Sequence, residues 1–326
     1  MRDFRELEPL LARIPGVQVA CGVPLAKHTS LGVGGPADLF VQVSSLEALE
    51  SVLRLCDQEA CPILVLGAGT NLLVMDAGVE GAVVSLDGAF KEVAFTEEAS
   101  RVFADAGAAV RLPRLLHDLE VRGLGGLEYA TGVPGSVGGA VVMNAGTRHG
   151  YIEGDLVSVR LVSAEGAETV AAARLHLGYR TSDIPERAVI ASARFVLSRE
   201  RSERQAWIVE DLKAHRRDRQ PPMRGTAGSF FKNPDIARGV FAGRLIEEAG
   251  LKGTRRGGAF VSEVHANFLT NGGDASARDL LELAVLVRER VLERFGVALH
   301  PEVRIVGRGA AEWIERLAGA RGGGAS

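Results

Sequence analysis

Apolar residues recur at helical spacing in three places along the chain. Ser44-x-x-Glu47 has a capping-box pattern and is followed by Leu49, Val52, Leu53 and Cys56, which predicts a helix ended by Pro62. Leu112, Leu115, Leu116 and Leu119 form a second stripe, closed by Gly123. Ser276-x-x-Asp279 opens a third, with Leu280, Leu283, Ala284, Val287 and Val291 on one face and Gly296 as the stop. Residues 63–66 read as a short buried strand, and 81–86, 156–162 and 188–197 as further strands. Helices and strands therefore alternate from about residue 38 to 200. This pattern predicts α+β or mixed α/β architecture. No internal repeat interrupts it.

At 326 residues the chain is too long for one typical core and suits two or three domains. A shift to charged residues at 199–206 reads as an interdomain boundary, and the glycine-rich end, 319–326, as frayed. The net charge is −3, from 38 basic and 41 acidic residues, which leaves no footprint for nucleic acid. One basic cluster, His215-Arg-Arg-Asp-Arg219, reads either as a solvated helix end or as an anion clamp. Cys21, Cys56 and Cys61 have no metal-ligand spacing, and so sparse an odd set points to a reducing compartment. The charged start lacks the apolar core of a signal peptide, and no run is long enough to span a bilayer. The expectation is a cytoplasmic protein with no membrane partner and no metal.

Chemistry concentrates in a few segments. The loop Gly67-Ala-Gly-Thr-Asn-Leu72 follows a strand but lacks the third glycine of the dinucleotide fingerprint. A second strand and a turn follow it, so it reads as a phosphate-cradling loop between strands or as a plain tight turn. Residues 130–146 form a second glycine-rich run containing Ser136 and Asn144. Together the two suggest pyrophosphate held largely by backbone donors, the alternative being a glycine-rich crossing where backbones pack. In Gly178-Tyr-Arg-Thr-Ser-Asp183 an arginine beside a ring can hold a carboxylate, although a plain surface loop fits as well. Ser229, Lys232 and Asn233 place a hydroxyl, an ammonium and a carboxamide around two rings and a proline. Core packing alone does not ask for that mixture. Glu302 opens a strand after a proline, where a glutamate is ordinarily only an exposed edge charge, and His265 and Asn267 share one face of an extended segment, either as a hydrogen-bonded pair or as a site.

Taken in order, these segments are similar to the UDP-N-acetylenolpyruvoylglucosamine reductase family. The marks are Gly67-x-Gly-Thr-Asn-Leu-Leu73, Gly132-x-Pro-Gly-Ser-Val-Gly-Gly139 with Asn144-Ala-Gly146, and Tyr179-Arg-x-Ser182. Gly228-Ser-Phe-Phe-Lys-Asn-Pro234, Leu245-Ile-Glu-x-Ala-Gly-Leu-Lys-Gly253 and His265-Ala-Asn-Phe268 complete the set. The resemblance implies an α+β, FAD-binding domain of the vanillyl-alcohol-oxidase type in two subdomains (1–74 and 75–200). A substrate-binding domain (201–302) and a C-terminal strand, helix and tail (303–326) would follow.

Its implied reaction is NADPH-dependent reduction of an enolpyruvyl UDP-sugar, with Arg180, Ser229 and Glu302 as catalytic residues. Implied cofactor contacts are Gly67, Ala68, Gly69, Thr70, Asn71, Leu72, Thr131, Gly132, Gly135, Ser136, Gly138, Gly139, Asn144, Ala145 and Gly146. Implied substrate contacts are Tyr179, Lys232, Asn233, His265 and Asn267, with Arg216 and Arg219 as further candidates for the diphosphate. The partners are then small molecules only, and the protein a monomer. The short span from Tyr179 to Gly228 leaves little room for the tyrosine-bearing loop of one subtype, which indicates the shorter type.

The chemistry of these residues is consistent with that reaction. Hydride addition to a vinyl carbon leaves charge on the neighbouring carbon and its carboxylate, and Arg180 can meet it. A Glu302 that keeps or shares a proton can do the same, which predicts a raised pKa for it. Ser229 can protonate so basic a carbon although a hydroxyl is a weak acid. Residues 62–116 contain neither His nor Cys, so FAD should be bound non-covalently. Ala68 replaces a glycine common in the family, which requires a negative φ there. Gly225 and Thr226 replace Pro-Ser and are expected to loosen the approach to Ser229. A different FAD oxidoreductase of the same fold, or a non-catalytic UDP-sugar module, is the alternative reading.

Overall fold

The computed structural model describes residues 3–99 and 101–319, so 320–326 of the expected frayed end lie outside the described residues. The chain divides into two compact units and passes between them after residues 21, 37, 68, 80 and 218. Residues 199–206 lead into a helix, α5 (Glu203–Arg219), that stays with the first unit as far as Asp218.

The first unit contains a four-stranded sheet in the order β1 (Val17–Pro24), β2 (Pro36–Val43), β5 (Val79–Leu86), β3 (Ile63–Val65). A short helix, α1 (Glu8–Leu11), precedes it. Helix α2 (Leu46–Gln58) connects β2 to β3, and β3 runs parallel to β5. The cap of α2 is Ser45, whose side chain accepts the Ala48 N–H at 3.2 Å. Ser44, the residue expected there, instead donates its hydroxyl to the Gly16 carbonyl at 2.9 Å. Leu49, Val52, Leu53 and Cys56 are buried as the spacing requires. The expectation of a buried strand at 63–66 is corrected: β3 is an edge strand, and Val65 is 36% exposed.

A second sheet of this unit has the order β11 (Gly166–Ala171), β10 (Leu156–Ser163), β12 (Val189–Leu197), β7 (Arg101–Gly107), β6 (Val93–Glu98). Every neighbouring pair in it is antiparallel. One apolar cluster joins α2, both sheets, α3 (Leu112–Val121) and α4 (Val137–Val142). Helix α4 lies inside the glycine-rich run, which the sequence presented only as a loop. Ser136 caps it by accepting the Gly139 N–H at 3.4 Å. A two-strand hairpin, β8 (Gly146–Thr147) and β9 (Gly150–Tyr151), follows directly.

The second unit is built on α7 (Ala277–Phe295), whose capping box is complete and whose C-cap, Gly296, has φ +69°. The stripe read from the sequence is fully buried on it. Around α7 lie α6 (Ala242–Glu248), α8 (Ala310–Ala318) and a sheet ordered β13 (Arg255–Arg256), β14 (Ala259–Val261), β15 (Leu269–Asn271). The loop at 67–71 leads into β4 (Leu72–Val74), which pairs in parallel with β16 (Arg304–Val306). A loop between strands is what the failed dinucleotide fingerprint predicts.

Candidate active site

In the first unit, Tyr179 and Arg180 form a tight turn closed by the Gly178 N–H on the Thr181 carbonyl at 3.0 Å. Arg180 has φ +56°, a conformation that non-glycine residues rarely adopt and that collects at functional sites. Its guanidinium donates to the Gly146 carbonyl at 3.0 Å and to the Asn144 carbonyl at 3.5 Å, and lies 5.4 Å from the Tyr179 ring centroid. Asn144 is 2% exposed and itself at φ +39°. Its amide donates to Glu153 Oε2 at 3.0 Å and to the Gly178 carbonyl at 3.2 Å, while its Oδ1 accepts the Glu153 N–H at 3.1 Å. The end of the second glycine run is therefore the seat of Arg180. The sequence suggested a cofactor contact at Asn144 but carried no sign of this link.

Gly67 and Ala68, which open the first glycine run, belong to the same unit as the second run. A Cβ on Gly67 would come 2.5 Å from Ser136 Oγ, and one on Gly138 would come 2.9 Å from the Ala108 methyl. Gly132 and Gly135 have φ of +79° and +129°. The N–H groups of Gly67, Ala68, Gly132, Gly135 and Ser136 donate to no acceptor among the described residues. Backbone donors left unspent beside glycines at which a Cβ would crowd its neighbours form a cradle for anionic oxygens. These residues fit a pyrophosphate-bearing cofactor. Ala68 is not among the residues with positive φ, so it needs no glycine. Arg216, in the cluster read either as a solvated helix end or as an anion clamp, donates to the Gly132 carbonyl, and partial burial pushes its pKa down.

In the second unit Ser229 and Glu302 are brought to adjacent strands of chain. The Glu302 N–H donates to the Phe230 carbonyl at 2.8 Å, and the Lys232 N–H to the His300 carbonyl at 2.8 Å. The first glycine loop reaches the same place: Asn71 Nδ2 donates to the Glu302 carbonyl at 3.2 Å, and the Asn71 carbonyl accepts the Arg304 N–H at 3.0 Å. Gly69 and Thr70 precede it, and Leu72 pairs with Arg304 in the β4–β16 ladder. Phe230 and Phe231 are buried and anchor the segment, which leaves Ser229 half-buried. Gly225 has φ +81° and is held on both sides, its N–H on the Ser30 carbonyl at 2.8 Å and its carbonyl on the Asn271 N–H at 2.7 Å. Glycine supplies the positive φ of the turn that these two bonds hold before Ser229.

His265 and Asn267 sit on a turn, not on the extended segment expected, because the Phe268 N–H closes back on the His265 carbonyl at 3.0 Å. They are bonded to each other, the Asn267 N–H donating to His265 Nδ1 at 3.2 Å. Asn267 is 2% exposed and clamps Phe231 from both ends: its Oδ1 accepts the Phe231 N–H at 3.0 Å and its Nδ2 donates to the Phe231 carbonyl at 2.8 Å. Asn233 Oδ1 accepts the Ala242 N–H at 3.1 Å at the start of α6. Among the described residues no cluster of His, Cys, Asp and Glu could hold a metal, and no helix is long and apolar enough to cross a membrane.

Comparison with known proteins adds independent findings. Residues 220–306 match the family described as UDP-N-acetylenolpyruvoylglucosamine reductase, C-terminal domain, and 37–171 match the FAD binding domain. A relative named UDP-N-acetylenolpyruvoylglucosamine reductase from Lachnoclostridium phytofermentans is 41% identical over 89% of this chain and 93% of its own. Another of that name, from an Anaeromyxobacter species, is 44% identical over 92% of each. The crystal structure of UDP-N-acetylenolpyruvylglucosamine reductase from Thermus caldophilus superposes with a TM-score of 0.76 at 37% identity. That match covers 89% of this chain and 99% of the other.

Proposed function

Since the chain belongs to the UDP-N-acetylenolpyruvoylglucosamine reductase family, we propose that Arg180, Ser229 and Glu302 are its catalytic residues. The protein is an FAD-dependent oxidoreductase with an FAD-binding domain of the vanillyl-alcohol-oxidase type. It reduces UDP-N-acetyl-3-O-(1-carboxyvinyl)-glucosamine to UDP-N-acetylmuramate with NADPH, in peptidoglycan precursor synthesis. FAD, when bound, would supply the hydride chemistry between NADPH and the vinyl carbon.

The residues of the chain do the rest. Backbone N–H groups of the two glycine runs would hold the pyrophosphate, with Gly67, Ala68, Gly132, Gly135 and Ser136 as donors in the first unit. Arg180 pairs with the substrate carboxylate as negative charge builds on it and on the adjacent carbon. Ser229 Oγ gives its proton to that carbon. Glu302 shares a proton with the same developing charge, which requires it to be protonated or hydrogen-bonded when substrate is bound. Tyr179, Lys232 and His265 contact the UDP-sugar. Asn233 and Asn267 act one step back, by fixing the segment that carries Ser229. The observation that supports this assignment is the Glu302 N–H on the Phe230 carbonyl at 2.8 Å, which joins the backbone of Glu302 to that of the residue after Ser229. The protein works as a cytoplasmic monomer.

Anaerobic spectra test the reading. NADPH should bleach the flavin band, and the enolpyruvyl UDP-sugar should restore it. Ser229→Ala should keep the bleaching and lose the restoration, whereas equal loss of both would refute its role. A titration showing Glu302 fully ionised at neutral pH in the complex would remove Glu302 from the mechanism.

A further inference from the structure

The hairpin that seats Arg180 is fastened at its far end by a charged clip for which the chemistry above has no use. In it Gly146 pairs with Tyr151 and Thr147 with Gly150, so Arg148 and His149 form the tip. Asp211, on α5, holds both tip residues through one oxygen. Its Oδ2 lies 2.5 Å from an Arg148 guanidinium nitrogen and 2.7 Å from His149 Nε2. The His149 side chain is only 16% exposed, and Trp207, one turn earlier on α5, meets its ring edge-on at 5.4 Å. The His149 hydrogen bond, and then Arg148, hold the Asp211 carboxyl below the usual carboxylate range. Thr147 Oγ1 ties the same hairpin to the Tyr129 carbonyl at 2.9 Å.

A partly exposed ion pair contributes little to stability by itself. Its consequence here is positional. A hairpin of two-residue strands has little slack, so a shift of its tip tilts the Gly146 carbonyl at its base. That carbonyl receives the closer of the two guanidinium bonds of Arg180 described above. We propose that His149 and Asp211 are positioning residues for Arg180 in reduction of the enolpyruvyl sugar, acting through the 146–151 hairpin. The proposal rests on the reading of Arg180 as the partner of the substrate carboxylate. Neither residue touches substrate or cofactor in this role. Aim matters because misplacing a reacting partner by about 1 Å can cost on the order of 100-fold in rate.

The test is rapid-mixing kinetics on the flavin-loaded enzyme, with the two half-reactions measured separately. His149→Ala and Asp211→Ala should each slow the sugar-driven return of the flavin band by about 10-fold or more. Flavin content and the rate of bleaching by NADPH should stay at the parent values. His149→Gln, which keeps an N–H for Asp211, should recover to within about 3-fold of the parent. The double alanine variant should be no slower than the worse single one. Equal slowing of both half-reactions, or a parent-like rate in the flavin-loaded alanine variants while Arg180→Ala is slow, overturns the proposal. Absence of rescue by His149→Gln, with Asp211→Ala unaffected, overturns it as well. If Arg180→Ala itself leaves the sugar step intact, the catalytic reading of Arg180 fails first, and the positioning role falls with it.

Discussion

At Gly69 a methyl group would sit 1.9 Å from the His28 carbonyl oxygen, and the backbone is already at φ +64°. Gly69→Ala should therefore cost on the order of 1–3 kcal/mol from the backbone conformation alone, with the clash in addition. Gly67→Ala meets only the Ser136 hydroxyl, which can turn away at the expense of the α4 cap. Its stability loss should be the smaller of the two. Melting temperature and flavin retained per chain, measured side by side, check that order. Asn267 gives a different kind of dependence, because both ends of its amide serve the Phe231 backbone. Asn267→Ala leaves a buried N–H and a buried carbonyl without partners, at about 1–3 kcal/mol each. Urea unfolding should show that loss. A variant as stable as the parent would remove the clamp from the account of Ser229.

Among the elements, α2 and α7 show how local signals fare. Ser276 and Asp279 close a reciprocal box on α7, and Asp76 adds bonds to the Ala277 N–H at 2.8 Å and the Arg278 N–H at 3.2 Å. The second contribution comes from a residue far away in sequence, so no window around the helix contains it. On α2 the neighbouring serines divide the work, Ser45 capping the helix and Ser44 bonding Gly16. Ser45→Ala should cost about 0.5–2 kcal/mol and Ser44→Ala clearly less, as read from urea midpoints. The reverse order would restore the register suggested by the sequence.

For the whole molecule, titration sets two opposing trends. Burial raises Glu128 and Asp155 above their ordinary values. Below the unfolded pKa of about 4 they cost nothing, and their cost appears as pH rises through the folded pKa. Asp279 is lowered, first by the Ser276 backbone hydrogen bond. Its stabilisation is present above the unfolded pKa and is lost as pH falls through the folded one. Asp155→Asn should therefore melt higher than the parent at pH 8, with the gap closing near pH 4. A constant gap would show that charge is not the cause. FAD binding to the folded state adds stability that grows with free cofactor concentration. Acid precipitation should release the flavin intact, in keeping with a segment, 62–116, that offers no His or Cys for attachment.

The helices that carry their own stops, the loop between strands at 67–71 and the residue types of the candidate site are all legible in the linear chain. Caps, breakers and glycine runs act over a few residues, and a linear reading captures them. Packing alone settles the pairing of backbone groups, which have no side-chain signature. The Gly146 carbonyl beneath Arg180, the Asn71 amide on the Glu302 carbonyl and the Phe230 carbonyl under the Glu302 N–H are of this kind. So is the turn at His265 and Asn267, where alternation suggested a strand but the Phe231 backbone needed a clamp. Every residue offers the same N–H and carbonyl. Which of them meet is fixed only when distant segments pack.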